Sequence, residues 1–190
     1  PKARLYSGKV LNADGSGNLS DVIDGVVWAA KNGMNVANMS LGMPTSSDAL
    51  HRAVRFAKGA GVIIVAAAGN SSGGPVGFPG AYPEVIAVSA LNSEHALASF
   101  SSRGEQVRFT APGEDIVSDK VGGGQVSMNG TSMAAPHVAG LAALSVSQGW
   151  TGLTGPDGVL NQLKKAARRL PNLTKEEQGF GLIDAGKLVR

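Results

Sequence analysis

Residues 62–68, Val-Ile-Ile-Val-Ala-Ala-Ala, form an unbroken apolar run closed by Gly61 and Gly69. Such a run has no polar face to turn toward water. It falls far short of the ~20 residues that a membrane helix needs, but it has the length of a strand buried on both faces of a parallel sheet. A parallel sheet needs a helix in each crossover, covering its faces. The flanking sequence supplies them. Ser20 reads as an N-cap with Asp21 and Asp24 in the first turn; Val22, Ile23, Val26, Val27 and Ala30 recur at helical spacing, and Gly33 marks the stop. Residues 35–41 read as a short apolar strand. Ser47 and Asp48 open a second helix with Leu50, Ala53, Val54 and Ala57 inward, ending near Gly59–Gly61. This alternation predicts a single α/β domain with right-handed crossovers and a mostly parallel sheet flanked by helices.

The remainder extends the pattern. Residues 4–11 read as a strand entering the turn-rich loop 12–18, and Val85–Ala90 continues the strand series. Residues 96–128 read as loops and short strands. Thr131 to about Ser147 is the most apolar helical stretch and is predicted to be central and buried. Residues 156–169 form a further helix with Pro156 near its start and Leu160, Leu163 and Ala167 inward; the chain closes on a short segment around Ala185–Val189. The 190 residues suffice for one substantial core. With 43% hydrophobic and 16% charged residues, disorder is excluded. The absence of Cys excludes a disulfide scaffold, thiolate metal sites and a cysteine nucleophile. Lys and Arg number 17 against 14 acids, and aromatics are 5%, which argues against nucleic-acid binding. No membrane span is expected. Pro1-Lys2-Ala3-Arg4 is neither a translation start nor a signal peptide, so residues upstream are expected.

Ligands collect at the carboxyl ends of strands in open α/β sheets. Two such ends carry small polar residues, Ser40-Leu41-Gly42 and Gly69-Asn70-Ser71, which taken singly are ordinary turn chemistry. A third, Asn129-Gly130-Thr131-Ser132, leads into the apolar helix. Ser132 there is either an N-cap or a nucleophile beside free backbone N–H groups.

Asn129-Gly130-Thr131-Ser132-Met133-Ala134-Ala135-Pro136-His137-Val138-Ala139-Gly140 resembles the nucleophile motif of the subtilisin-like serine proteases. Asn38–Gly42 resembles the family's substrate-binding strand, Ala66–Asn70 its oxyanion segment, and Lys9–Gly17 its other substrate-flanking strand and loop. The motifs follow the family's order and span essentially the whole chain. The resemblance implies a subtilisin-like three-layer fold with its N-terminal part missing, so that residues 1–190 are the C-terminal portion of a single subtilase catalytic domain. It implies a serine endopeptidase forming an acyl-enzyme on Ser132, with Asn70 and the Ser132 N–H as oxyanion donors. Thr131 joins Ser40, Leu41, Gly42, Gly15, Ser16, Gly17, Ala67, Gly69 and Gly77 as substrate-binding residues. The residues that would line the pocket for the residue before the scissile bond, Ser40–Gly42, Ala67–Gly69 and Gly77, are small and uncharged, which implies broad specificity with large apolar side chains preferred. Phe78-Pro79 resembles a cis-proline turn of the family, against the general preference for trans.

The resemblance implies that the family's aspartate and histidine lie upstream of this sequence. Of the histidines present, His137 is expected to be a buried structural residue about 140° round the helix from Ser132. His51 is expected on a solvated helix surface and His95 in a polar loop. The expected partners are therefore an extended peptide or protein substrate and an N-terminal fragment carrying Asp and His; the isolated chain is expected to be inactive and to self-associate. The alternative is a non-catalytic peptide-binding fragment or pseudoprotease. No cofactor is expected for the chemistry. The family's weaker calcium site would use carbonyls near Gly80, Tyr82 and Val85, but Arg108 stands at its usual acid position, so no metal ligand is assigned; structural calcium is left to the complete enzyme. Family membership implies a secreted or cell-surface protein. Gly181–Lys187 has the spacing of a phosphate loop, but Leu188 replaces the required Ser or Thr.

Overall fold

A computed structural model describes residues 2–155 and 158–188. Five parallel strands form the sheet: β1 (Val36–Met39), β2 (Ile63–Ala67), β3 (Val85–Leu91), β4 (Val107–Pro112) and β8 (Leu182–Ile183). A two-residue strand, β7 (Ala167–Arg168), adds antiparallel to β8, giving the order β1-β2-β3-β4-β8-β7. The run that anchored the sequence reading is the centre of the molecule, with β2 buried at every position. Its alternate residues enter different cores. Ile63 and Val65 pack with Ile86, Val88 and Phe109 on one face, whereas Val62, Ile64 and Ala66 pack with Val85 on the other.

The second face is covered by α1 (Leu19–Lys31) and α2 (Asp48–Gly59), which bury Val22, Val26, Leu50 and Val54. The first is covered by α3 (Thr131–Ser147) and α4 (Val159–Ala166), through Ala134, Val138, Ala142 and Leu163. The three-layer α/β architecture is therefore present. Ser47 caps α2 by accepting from Leu50 N–H, as its position predicts. A hairpin of β5 (Ile116–Asp119) and β6 (Gln125–Met128) stands between β4 and α3, and α5 (Lys175–Gln178) precedes β8.

Several expectations need correction. Residues 4–11 form no strand; Leu5 is 94% exposed and Tyr6 55%. An extended segment becomes a strand only with a hydrogen-bonding neighbour, and none lies beside it among the described residues. Helix α1 is capped at Asn18, not Ser20, which lies inside its first turn. Helix α3 is buried on one side only: Pro136, His137 and Gly140 are exposed, and Leu141 and Leu144 are half-buried. The sheet covers one face of this apolar helix, and no described residue covers the other. The fourth helix spans Val159–Ala166, and Ala167 belongs to β7 rather than to the inward helix face. Pro156 and Val189 lie outside the described residues; the closing segment is a single 3₁₀ turn, Ala185–Lys187.

Candidate active site

Two strand ends and one helix start converge. Strand β1 runs on into Ser40–Gly42, β2 into Gly69–Asn70, and α3 begins at Thr131. The turn before α3 is possible because Gly130 adopts φ 154°, and Gly69 turns the end of β2 at φ 113°. Both values disfavour residues bearing a Cβ.

Thr131 ties two of these pieces together. Its N–H and its hydroxyl both donate to Asn70 Oδ1, each at 3.0 Å, and the same hydroxyl accepts from Gly69 N–H at 3.1 Å. A backbone N–H can only donate, so the oxygen of the Asn70 amide must face Thr131 and its Nδ2 must face away. Nδ2 makes no hydrogen bond among the described residues, and neither does Ser132 N–H, which lies in the first turn of α3 where no intrahelical acceptor exists. The two unpaired donors lie close together at the positive end of a helix dipole: a Cβ on Gly130 would sit 3.4 Å from Asn70 Nδ2 and 3.6 Å from Ser132 N. The Ser132 hydroxyl itself donates to Ser40 O at 3.2 Å, and Ser40 Oγ donates to Ser132 O at 2.7 Å.

Backbone bonds join the segments beside these strand ends. Met43 and Phe78 exchange two backbone hydrogen bonds, both 2.8 Å, and Gly77 N–H donates to Ala68 O at 2.9 Å. These bonds hold Leu41–Gly42 against the segment carrying Gly77. A Cβ on Gly77 would approach Met43 O to 3.1 Å, and one on Gly42 would approach Phe78 O to 3.4 Å. Ala67, at the end of β2, is buried. The Phe78-Pro79 peptide is cis, as the family resemblance implies.

Not every candidate residue joins the cluster. Gly15, Ser16 and Gly17 are exposed in a loop that bonds to itself: Asn12 N–H donates to Ser16 O at 2.7 Å, and the Ser16 N–H and hydroxyl donate to Asp14 Oδ1. Those bonds hold the Asp14 carboxyl below its usual range. No hydrogen bond among the described residues links this loop to Ser132 or Ser40. Thr131 was grouped with the substrate contacts, yet it is fully buried and its hydroxyl is already occupied in both senses; it positions Asn70.

None of the three histidines is hydrogen-bonded to Ser132. His137 bonds through Nδ1 to Met133 O at 2.8 Å and is exposed rather than buried, because its side of α3 is open. His51 is not simply solvated: Nε2 lies 2.9 Å from Glu84 Oε2, and the ring stacks on Tyr82 with centroids 4.2 Å apart. Burial disfavours ionised Glu84, but the His51 hydrogen bond, its own backbone and the His51 and Lys58 charges together hold its carboxyl below the usual range. His95 is exposed in a turn at φ 59°. At the weaker calcium position the residues present do not fit the ion. Arg108 in β4 puts a cation where the ion would need an acid.

Two contributors escaped the sequence reading. Gly113 O accepts Gly130 N–H at 2.8 Å and so holds the turn before Ser132. Pro136 stands four residues after Ser132 inside α3, a spacing visible in the sequence that marks a missing helical hydrogen bond.

Comparison with known proteins identifies the family. The subtilase family model matches residues 1–181. Alkaline elastase YaB of Bacillus sp. (strain YaB) is 43% identical over 192 aligned residues, covering all of this chain and 49% of its own length. Subtilisin E of Bacillus subtilis (strain 168) is 48% identical over 97% of this chain and 48% of its own length. Subtilisin Savinase of Lederbergia lenta is 42% identical over the whole chain and 69% of its own length. The chain therefore spans about half the length of the first two relatives. With a family model covering nearly the whole sequence and a fold that brings Ser40, Asn70, Thr131 and Ser132 together at the strand ends, this chain belongs to the subtilase family.

Proposed function

We propose that residues 1–190 are the C-terminal portion of a single subtilase catalytic domain and that the complete protein is a serine endopeptidase. The observation that carries this reading is the Ser132 hydroxyl beside two unpaired donors, Ser132 N–H and Asn70 Nδ2. Ser132 Oγ attacks the scissile carbonyl carbon while its proton passes to a base. The carbonyl oxygen becomes the oxyanion and enters the space between the two donors. Collapse of the tetrahedral intermediate expels the amine, which takes up the proton, and leaves an acyl-enzyme that water hydrolyses.

Because no histidine of this chain is bonded to Ser132, the base and the group orienting it come from an N-terminal part with Asp and His. The open flank of β1, the segment 2–11 without strand pairing and the exposed side of α3 support docking of that part beside Ser132. The isolated chain is then inactive. Extended peptide binds along Ser40–Gly42 by main-chain hydrogen bonds, with Gly15–Gly17 as the opposite wall. The pocket formed by Ala67, Gly69 and Gly77 takes large apolar side chains. No cofactor takes part in the chemistry. No described helix is long and apolar enough to cross a membrane, and a secreted or cell-surface location follows from family membership.

A fluorophosphonate probe tests the reading on the complete protein. Labelling at Ser132, abolished by Ser132→Ala, is expected; an unlabelled but peptide-binding protein would establish the non-catalytic alternative. Peptides varied at the residue before the scissile bond test the pocket, and a clear preference for Arg or Lys would overturn it.

A further inference from the structure

We propose that Ser40 is a positioning residue for Ser132, acting through a carbonyl that Pro136 deprives of its helical donor. The proposal rests on the reading of Ser132 as nucleophile. In an α-helix each C=O accepts from the N–H four residues on. For Ser132 that residue is Pro136, which has no N–H and whose ring crowds the carbonyl one turn back. Proline is tolerated at the first helical position, where no bond is lost, but Pro136 lies five residues beyond Thr131, the first residue of α3. The nucleophile's own carbonyl therefore loses the donor that the helix would otherwise supply four residues on.

The replacement donor comes from the sheet. Ser40 Oγ donates to Ser132 O at 2.7 Å, across 92 positions of sequence. Asn38 Nδ2 donates to Ser40 Oγ at 3.0 Å. Ser40 has a single hydroxyl proton; with Asn38 filling an acceptor site of the oxygen, that proton is directed at Ser132. The contact is reciprocal, since the Ser132 hydroxyl donates to Ser40 O at 3.2 Å. Two oxygens of Ser132 are thereby held by two oxygens of Ser40. Pinning the carbonyl restrains the Ser132 backbone, and with it both the aim of Oγ and the direction of the unpaired N–H.

The test uses the complete protein and a chromogenic peptide substrate, with Ser40→Ala, Pro136→Ala and the double variant. Ser40→Ala keeps the strand backbone that meets substrate, so kcat is expected to fall about tenfold with KM nearly unchanged. Pro136→Ala restores an N–H to the helix, so in that background Ser40→Ala is expected to lower kcat by no more than roughly threefold. Asn38→Ala, which leaves the Ser40 hydroxyl present but undirected, is expected to lie between wild type and Ser40→Ala. An unchanged kcat in Ser40→Ala, an equal loss in both backgrounds, or a loss expressed only in KM would overturn the proposal while leaving the protease reading intact. A wild-type protein that neither cleaves peptide nor accepts the fluorophosphonate would overturn the protease reading itself, and this proposal with it.

Discussion

Gly113 offers the sharpest test of how the sheet holds the nucleophile turn. It follows β4 directly, donates its N–H to Leu91 O at 2.9 Å and accepts Gly130 N–H at 2.8 Å. Its φ is not positive, so Gly113→Ala meets no intrinsic backbone penalty and the outcome depends on space alone. A Cβ there would lie 2.6 Å from Ala90 Cβ, 2.8 Å from Gly130 O and 3.3 Å from Ala134 Cβ. Carbon atoms pack at about 3.5–4.0 Å, so roughly 1 Å must be found. Ala90 and Ala134 are fully buried and have no rotamer to change, and Gly130 O is backbone. Overpacking of this kind costs about 1–3 kcal/mol, or roughly 2–4 °C of melting temperature per kcal/mol for a domain of this size. The displaced group with the most freedom is Gly130, whose movement carries Thr131 and Ser132 with it. A misplacement near 1 Å costs about 100-fold in rate. The assay is a thermal melt beside the rate of fluorophosphonate labelling in the complete protein. Gly59→Ala is the control: it lies at the exposed end of α2 with nothing within 4 Å of a new Cβ, and is expected to raise stability by about 0.5 kcal/mol. If Gly113→Ala matches Gly59→Ala in both assays, the steric reasoning is wrong.

Other consequences follow from the same contacts. Thr131→Val should lower both stability, by about 1–3 kcal/mol because Gly69 N–H is left unpaired in a dry site, and labelling rate, because Asn70 loses one of its two tethers; unchanged labelling would separate Thr131 from Asn70. Asn70→Ala should reduce kcat by about 100-fold or more, a magnitude known from the corresponding asparagine of subtilisin, a member of this family. Glu84 titrates below its ordinary 4.5 in the folded chain. Its ionised form therefore adds stability above 4.5 that disappears as pH falls through the lower folded value. The melting-temperature advantage of wild type over Glu84→Gln should close in that acid range, and an advantage that persists there would refute the His51 pairing. The isolated chain, with Leu5, Tyr6 and Val121 largely exposed and one flank of β1 open, should self-associate; sedimentation as a monomer together with a cooperative melt would contradict this.

The elements most legible in the sequence were those whose stability is local or self-contained. The run 62–68 declared β2 because nothing but a sheet interior accepts seven apolar residues between glycines. Helix α3 began and ended where expected because Gly130 alone tolerates φ 154° before it and its apolar density falls away at Ser147. The failures share another cause. Residues 4–11 have strand character, but pairing is a property of two segments and only one is present. His137 was read as buried from its motif, whereas burial depends on what lies across from it. Two-residue strands such as β7 and β8 carry too few positions for any periodicity to register.

The site follows the same division. Motif positions identified Ser132, Asn70 and Ser40, but not the bonds that orient them, since Thr131 and Asn70 are 61 positions apart and Ser40 and Ser132 are 92 apart. Those long-range bonds have a common design. Thr131 turns the oxygen of Asn70 away so that its Nδ2 faces the cleft, and Ser40 supplies the donor that Pro136 withholds from Ser132. In each case a polar group near Ser132 is satisfied by a group fixed to a strand end or a helix start, while the donors left unpaired are the two that an oxyanion would need. On the proposed reading, a hydroxyl and two donors held this way would be preset for substrate without a base. The geometry therefore separates two requirements of the reaction. On the proposed reading, residues of this chain would stabilise the developing charge, and proton transfer would fall to the N-terminal part proposed to dock beside β1. Mixing this chain with that part should then restore labelling of Ser132 without a change in the contacts among Ser40, Asn70 and Thr131. A requirement for their rearrangement, seen as slow labelling that lags behind association of the two parts, would show that the donors are not preset.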